Sequence, residues 1–192
     1  LVSEGDTVYL RPGGGPPLAA GELYTIYRTF EIDTGLLTDT SPGIQHYLTG
    51  VVEVTDIQSE YAIAKVVKAF RDIHYEDMVM PLKKRSQDIE LKEAVNGLTG
   101  RVIRSEERNA LIGQYKLAFI NKGENDGVEV GQSYNILHQP VAAPEPGAEP
   151  IGLKPINVGQ ILVLHTEATT ATGLITASTK TIQPDDKIRS PK

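Results

Sequence analysis

The sequence predicts an all-β protein made of two tandem, internally duplicated small β-barrel or sandwich modules. Three observations predict it. Apolar residues alternate with polar ones at Val8 and Leu10, Tyr24 and Ile26, Val52 and Val54, and Ile161 and Val163, the period of a half-buried strand. Turn chemistry separates these runs, at Arg11 to Pro17 (RPGGGPP), Asn96-Gly97 and Asn125-Asp126-Gly127. The third observation is that one half of the chain lies over the other. Glycine at 18 and proline at 12 suit many short strands joined by tight turns.

The self-similarity runs through most of the chain. An offset of 109 lays Gly50 to Pro81 over Gly159 to Ser190, matching Gly50 with Gly159, Val54 with Val163, Ala62 with Ala171, Ile73 with Ile182 and Asp77 with Asp186. An offset of 110 lays Gly5 to Ile26 over Tyr115 to Ile136, matching Gly13 with Gly123, Gly21 with Gly131, Tyr24 with Tyr134 and Ile26 with Ile136. A single residue in the variable stretch between the blocks absorbs the difference. The first module is expected over residues 1–82. It is expected to be N-terminally truncated, because LVSEGDTVYL starts in the middle of a pattern. The second is expected over 83–192, with an additional N-terminal strand pair.

The duplication decides one ambiguous element. Tyr61 to Asp72 (YAIAKVVKAFRD) has the Ala, Lys and Arg of a helix. Its counterpart, Thr170 to Thr181 (TATGLITASTKT), is rich in threonine with an internal glycine. If both do the same job, both are strands, since β-branched residues fit a pleated, half-buried surface. Gly100 to Gly123 reads as two strands joined at Glu106 to Asn109, and Ser86 to Val95 as a weak strand or a short helix. Two irregular insertions are expected at matching places, Arg28 to Leu48 and His138 to Ile156. The second is rich in Pro, Ala and Gly and cannot be a central strand, because proline donates no ladder hydrogen bond.

Composition excludes several function classes. A net charge of −6 opposes sequence-independent nucleic-acid binding, and the basic run Lys83-Lys84-Arg85 is short and lies between segments. The absence of cysteine excludes disulfides, thiolate metal sites and a cysteine nucleophile. No window approaches the ~18–20 apolar residues of a membrane helix, and the opening residues lack the basic and apolar regions of a signal peptide. With no Trp and two Met, there is little material for a large aromatic platform.

No catalytic, cofactor-binding or metal site is expected. His46, His74, His138 and His165 stand without partners at metal-ligand spacing. Glu76-Asp77 and Asp185-Asp186 suggest paired carboxylates, but adjacent residues on an extended chain point opposite ways. Aspartate also favours turns by bonding its own backbone. The triple glycine of RPGGGPP lacks the following helix that a phosphate cradle uses. A Ser-His-Asp group is not readable from spacing, although such groups assemble from distant positions. Tyr24, Tyr27, Tyr47, Tyr61 and Tyr75 are candidates for stacking on a glycan or small ligand, weighed against core positions.

VSEGDTVYL is similar to the opening of a LysM repeat, but Arg11-Pro12-Gly13-Gly14-Gly15 stops the helix that repeat needs. Residues 1–10 therefore read as another acidic turn before a strand. Taken over nearly its whole length, the chain resembles the β-rich C-terminal region of bacterial LysM-containing cell-envelope proteins. The likeness is carried by EGDTVYLRP, GELYTIYRTF, GVVEVTDI, AKVVKAFRDIHYEDMVMP, GLTGRVIRSEE, AFINKGENDGVEVGQSYNIL and VGQILVLHTEATTATGLITAS. Where that family commonly has Gly before the terminal turn Asp, this chain has Glu76 and Asp185. The resemblance implies a non-enzymatic structural or protein-interaction scaffold in the cell envelope, on the periplasmic side. It implies an envelope protein partner, peptidoglycan contact through a LysM domain upstream, and no cofactor. A glycan- or small-ligand-binding β module is the alternative.

Overall fold

The computed structural model describes residues 2–32, 43–84, 86, 88–142, 149 and 151–191. The chain is all-β and divides into two compact units, Leu1–Arg85 and Ser86–Lys192. Leu82, where the sequence placed the end of the first module, donates its amide to Leu23 O and so stays with unit 1.

Unit 1 contains β1 (Thr7–Leu10), β2 (Leu23–Glu31), β3 (Ile44–Ile57), β4 (Ala62–Ala69) and β5 (Met78–Pro81). They form one five-stranded antiparallel sheet in the order β1-β4-β3-β2-β5. Its inward residues alternate as a pleated sheet requires. Tyr24 and Ile26 on β2, Val52 and Val54 on β3, and Ala62, Ala64 and Val66 on β4 are buried with Ile73. Tyr61 to Asp72 is therefore a strand over most of its length. It lies between β1 and β3, where its small and β-branched residues fill the inner face.

Unit 2 contains β6 (Thr99–Ser105), β7 (Leu117–Ile120), a 3-10 turn at Glu124–Asp126 and β8 (Ser133–His138). They are followed by β9 (Val141–Ala142), β10 (Ile151–Gly152), β11 (Ile156–Thr166), β12 (Ala171–Ser178) and β13 (Lys187–Arg189). Six of these close into a barrel in the order β11-β12-β7-β6-β13-β8. Closure removes the exposed edges of the sheet. The interior is dominated by β-branched residues, among them Val102, Ile120, Ile136, Ile161, Val163, Ile175 and Ile188.

The two units share their pairing. Advancing β1 and β2 by 110 and β3 to β5 by 109 turns the order β1-β4-β3-β2-β5 into β7-β12-β11-β8-β13. Thr7↔Lys65 becomes Leu117↔Leu174, Tyr24↔Val52 becomes Tyr134↔Ile161, and Ile26↔Val79 becomes Ile136↔Ile188. The irregularities move with the register. Bulges lie at Val51/Val52 and Val54/Asp56 in one unit and at Gln160/Ile161 and Val163/His165 in the other. Such bulges bend and coil a strand. At the first bend, a Cβ on Gly50 or Gly159 would sit 2.5 Å from the carbonyl oxygen of Lys68 or Ala177. Only glycine allows that approach.

Three expectations change in detail. Arg28 to Leu48 is less irregular than its sequence suggests, because Arg28–Glu31 pair with Ile44–Tyr47 and lengthen the β2/β3 hairpin. The Thr, Phe, Tyr and Ile of these two segments are strand formers. His138 to Ile156 carries the small antiparallel pair β9/β10. Residues 33–42, 143–148 and 150 of these stretches lie outside the described residues. Among the described residues, the additional N-terminal strand pair of unit 2 is represented by the strand β6 and a bridge from Lys92 to Gln132. Within Ser86 to Val95, apolar residues alternate only at Ile89 and Leu91, which is too short a run to build a ladder.

The close approach at the bend predicts that Gly50→Ala and Gly159→Ala each destabilise the protein by about 1–3 kcal/mol through overpacking against backbone. Chemical denaturation followed by circular dichroism measures both.

Candidate functional site

Three acidic turns share one construction. The amides of Asp6, Asp77 and Asp186 donate to the carbonyls of Ser3, His74 and Gln183 at 3.1, 3.3 and 3.2 Å. The preceding residues, Gly5, Glu76 and Asp185, have φ of 91°, 71° and 71°. A four-residue turn with that bond and a positive φ at its third position has type II geometry. Each aspartate then closes the turn with its side chain. The carboxylates accept from Ser3 N at 2.8 Å, His74 N at 3.0 Å and Gln183 N at 2.9 Å. The acidic pairs are therefore divided: Glu76 and Asp185 face solvent while Asp77 and Asp186 turn inward. No paired-carboxylate centre forms at either place.

The inward carboxylates each hold a basic side chain, from β2 in unit 1 and from β8 in unit 2. Arg28 Nη2 donates to Asp77 Oδ2 at 2.8 Å, and Thr49 Oγ1 donates to the same oxygen at 3.2 Å. Arg28 also donates to Asp72 O at 2.6 Å and contacts His74 Nδ1 at 2.9 Å. A guanidinium has only donors, so His74 accepts on Nδ1 and carries its proton on Nε2. In unit 2, His138 Nδ1 lies 2.7 Å from Asp186 Oδ1. The offset of 110 that matches β2 with β8 also matches Arg28 with His138, so both clasps join equivalent positions. That was the available sequence signal: a cation-capable residue repeated with its aspartate.

The remaining candidates scatter. His46 stacks on Tyr27 at 4.6 Å between ring centroids, and His165 Nε2 meets the exposed Glu167 at 2.8 Å. Among the described residues, no three His, Asp or Glu side chains converge to hold a metal. Tyr24 is buried and its hydroxyl accepts from Ala19 N at 2.9 Å. Tyr134 is buried and donates to Gln132 Oε1 at 2.7 Å, and burial raises the pKa of its phenol. Tyr47 lies edge-on to Phe30 and beneath the Arg71 guanidinium, 4.4 Å from the ring centroid. Gly13, Gly14 and Gly15 face open space, so the RPGGGPP loop encloses no ligand-sized cradle.

One concavity gathers the rest. A cleft of about 890 Å³ lies in unit 1 between β1 and β5, the two edges of its sheet. Val2, Val8, Leu10, Ile73 and Val79 line it with apolar surface, and Tyr9, Tyr61 and Tyr75 line it with aromatic rings. Tyr9 and Tyr61 meet edge to face at 5.7 Å, and Tyr75 is 86% exposed. Of the five tyrosines singled out in the sequence, only Tyr61 and Tyr75 come together here; Tyr9 joins them unforeseen. Apolar lining beside unpaired strand edges suits an extended or flat ligand. No protein-family model matches the chain, and no curated protein matches it.

Two substitutions test the turn reading. Glu76→Gly relieves a left-handed non-glycine residue and is expected to stabilise the protein by up to about 1 kcal/mol. Asp77→Ala strips Arg28, Thr49 and the His74 amide of their acceptor and is expected to destabilise it by about 2–4 kcal/mol. Thermal unfolding of both variants at neutral pH checks the opposite signs.

Proposed function

We propose that this chain is a non-catalytic scaffold module of a LysM-containing cell-envelope protein, on the periplasmic side, working beside an upstream domain that binds peptidoglycan. The observation that carries the non-catalytic part is the use made of the inward acids. Asp77 and Asp186, the candidates for acid-base work, are engaged by their own turn amides and by Arg28 or His138. Carboxylates held in this way tie a turn to a strand and are not themselves free to serve as a base. The envelope setting rests on the sequence resemblance, and the scaffold role on the strand pairing and turn clasps that the two units have in common.

A second reading, binding of glycan or another flat ligand, is favoured by Tyr9, Tyr61 and Tyr75 at the unit 1 cleft. Aromatic rings with polar tips suit sugar faces. The two readings separate in one set of measurements. The scaffold reading expects that the chain releases no soluble fragments from purified peptidoglycan and shows no saturable binding of muropeptides. It also expects immobilised chain to retain an envelope protein that a cytosolic extract does not supply. Saturable muropeptide binding lost in Tyr61→Ala and Tyr75→Ala supports the glycan reading, and release of fragments contradicts both.

A further inference from the structure

The cleft of unit 1 occupies the place that β6 fills in unit 2. In the barrel, β6 lies between β13 and β7 and is antiparallel to both. It pairs Thr99, Gly100 and Arg101 with Arg189, Ile188 and Lys187, then Val102, Arg104 and Ser105 with Ile120, Phe119 and Ala118. The turn before β13 is bound too: Val102 N donates to Asp186 O at 2.9 Å, and Asp185 N donates to Val102 O at 2.8 Å. The shared offsets place Met78, Val79 and Met80 on one side of the unit 1 cleft and Val8, Tyr9 and Leu10 on the other. Glu76 and Asp77 stand at the turn. Among the described residues, β1 is there hydrogen-bonded to β4 alone and β5 to β2 alone.

Burial follows the same division. Ile112, Ala118, Ile120 and Ile188 are fully buried beneath β6 in unit 2. Their counterparts Val2, Val8, Leu10 and Val79 are only partly buried and line the cleft. The apolar surface facing the gap and the unpaired backbone along its two walls call for the same thing, an extended strand with a small or β-branched residue pointing inward. A second copy of this chain laid edge to edge could pair with β1 or with β5 but could not span both. A glycan on the tyrosines would leave the strand amides and carbonyls unpaired.

We propose that this cleft is a strand-acceptor site. An extended polypeptide segment patterned like β6, reaching it from the N-terminal side of Val2, lies antiparallel to β5 and β1 and completes a six-stranded barrel. The direction of entry comes from unit 2, where β6 precedes, through residues 106–116, the chain that matches the approach to β1. This proposal does not depend on the envelope reading. Unit 1 accepts a strand whether or not the chain is a scaffold, although an occupied cleft leaves no room for a glycan.

The test appends a second copy of residues 98–110 ahead of Leu1, because residue 111 is the counterpart of Leu1 and the natural connection is thereby reproduced. Amide hydrogen exchange at Tyr9, Glu76 and Val79 is expected to slow by at least about tenfold relative to the unextended chain. The same extension carrying Val102→Asp in the copy is expected to lose that protection. A synthetic peptide of residues 98–106 added to the unextended chain gives an independent readout, with amide shift changes expected along β1 and β5. The proposal is overturned if neither extension nor peptide affects these amides, or if the Asp version protects them equally. It is also overturned if self-association of the unextended chain, or muropeptide binding, already protects both strands.

Discussion

The bend in the long strand at the middle of each sheet, β3 in unit 1 and β11 in unit 2, is the constraint on which the rest depends. A straight strand of the length of β3 or β11 would carry its two neighbours in one flat layer. In this protein the bulges coil it, and at Gly50 and Gly159 the adjacent strand's carbonyl presses to 2.5 Å from where a side chain would begin. The coil directs Val52 and Val54, or Ile161 and Val163, into a common interior. It also sets how β7 and β13 flank β6 in unit 2, and how β1 and β5 flank the cleft of unit 1. In unit 2 β6 closes the sheet, which has no edge there. In unit 1 the same curvature leaves an apolar cleft.

The turn aspartates are the second layer of this construction. Strands as short as β5 and β13 have few ladder bonds of their own, so their position depends on how firmly the preceding turn is held. A carboxylate that closes its turn and also grips a side chain on β2 or β8 fixes that position from both directions. Glu76 and Asp185 hold left-handed backbone in these turns, at φ 71° in each. The repeated use of a strained position in the same turn ties its function to geometry, not to the side chain that happens to occupy it.

Much of this was legible in the sequence. The alternation at Tyr24/Ile26 and Ile161/Val163 identified the inner faces, because a pleated strand alternates whatever surrounds it. Comparison of Tyr61 to Asp72 with its threonine-rich counterpart outweighed local helix propensity, and β4 is a central strand. The acid pairs read correctly as turns, since the physics of adjacent residues is local. Long-range pairings were harder. Nothing near Arg28 announces Asp77, and nothing near His138 announces Asp186; only the common offsets connect them. The extent of the β2/β3 hairpin was underestimated because Gly and Pro nearby masked strand-forming residues on either side. The cleft was foreshadowed only by the absence of a counterpart to β6, a feature visible in strand order and not in any motif.

The central claim is that one set of pairings, bulges included, builds the inner sheet of both units. Backbone NOEs across β3/β4 and β11/β12 in the isotopically labelled protein test it most directly. Cross-strand contacts are expected to join Val52 to Val66 and Val54 to Ala64, and the same contacts displaced by 109 to join Ile161 to Ile175 and Val163 to Gly173. A one-residue slip in either unit, or a ladder that passes Gly50 or Gly159 without a bulge beside it, would contradict the claim.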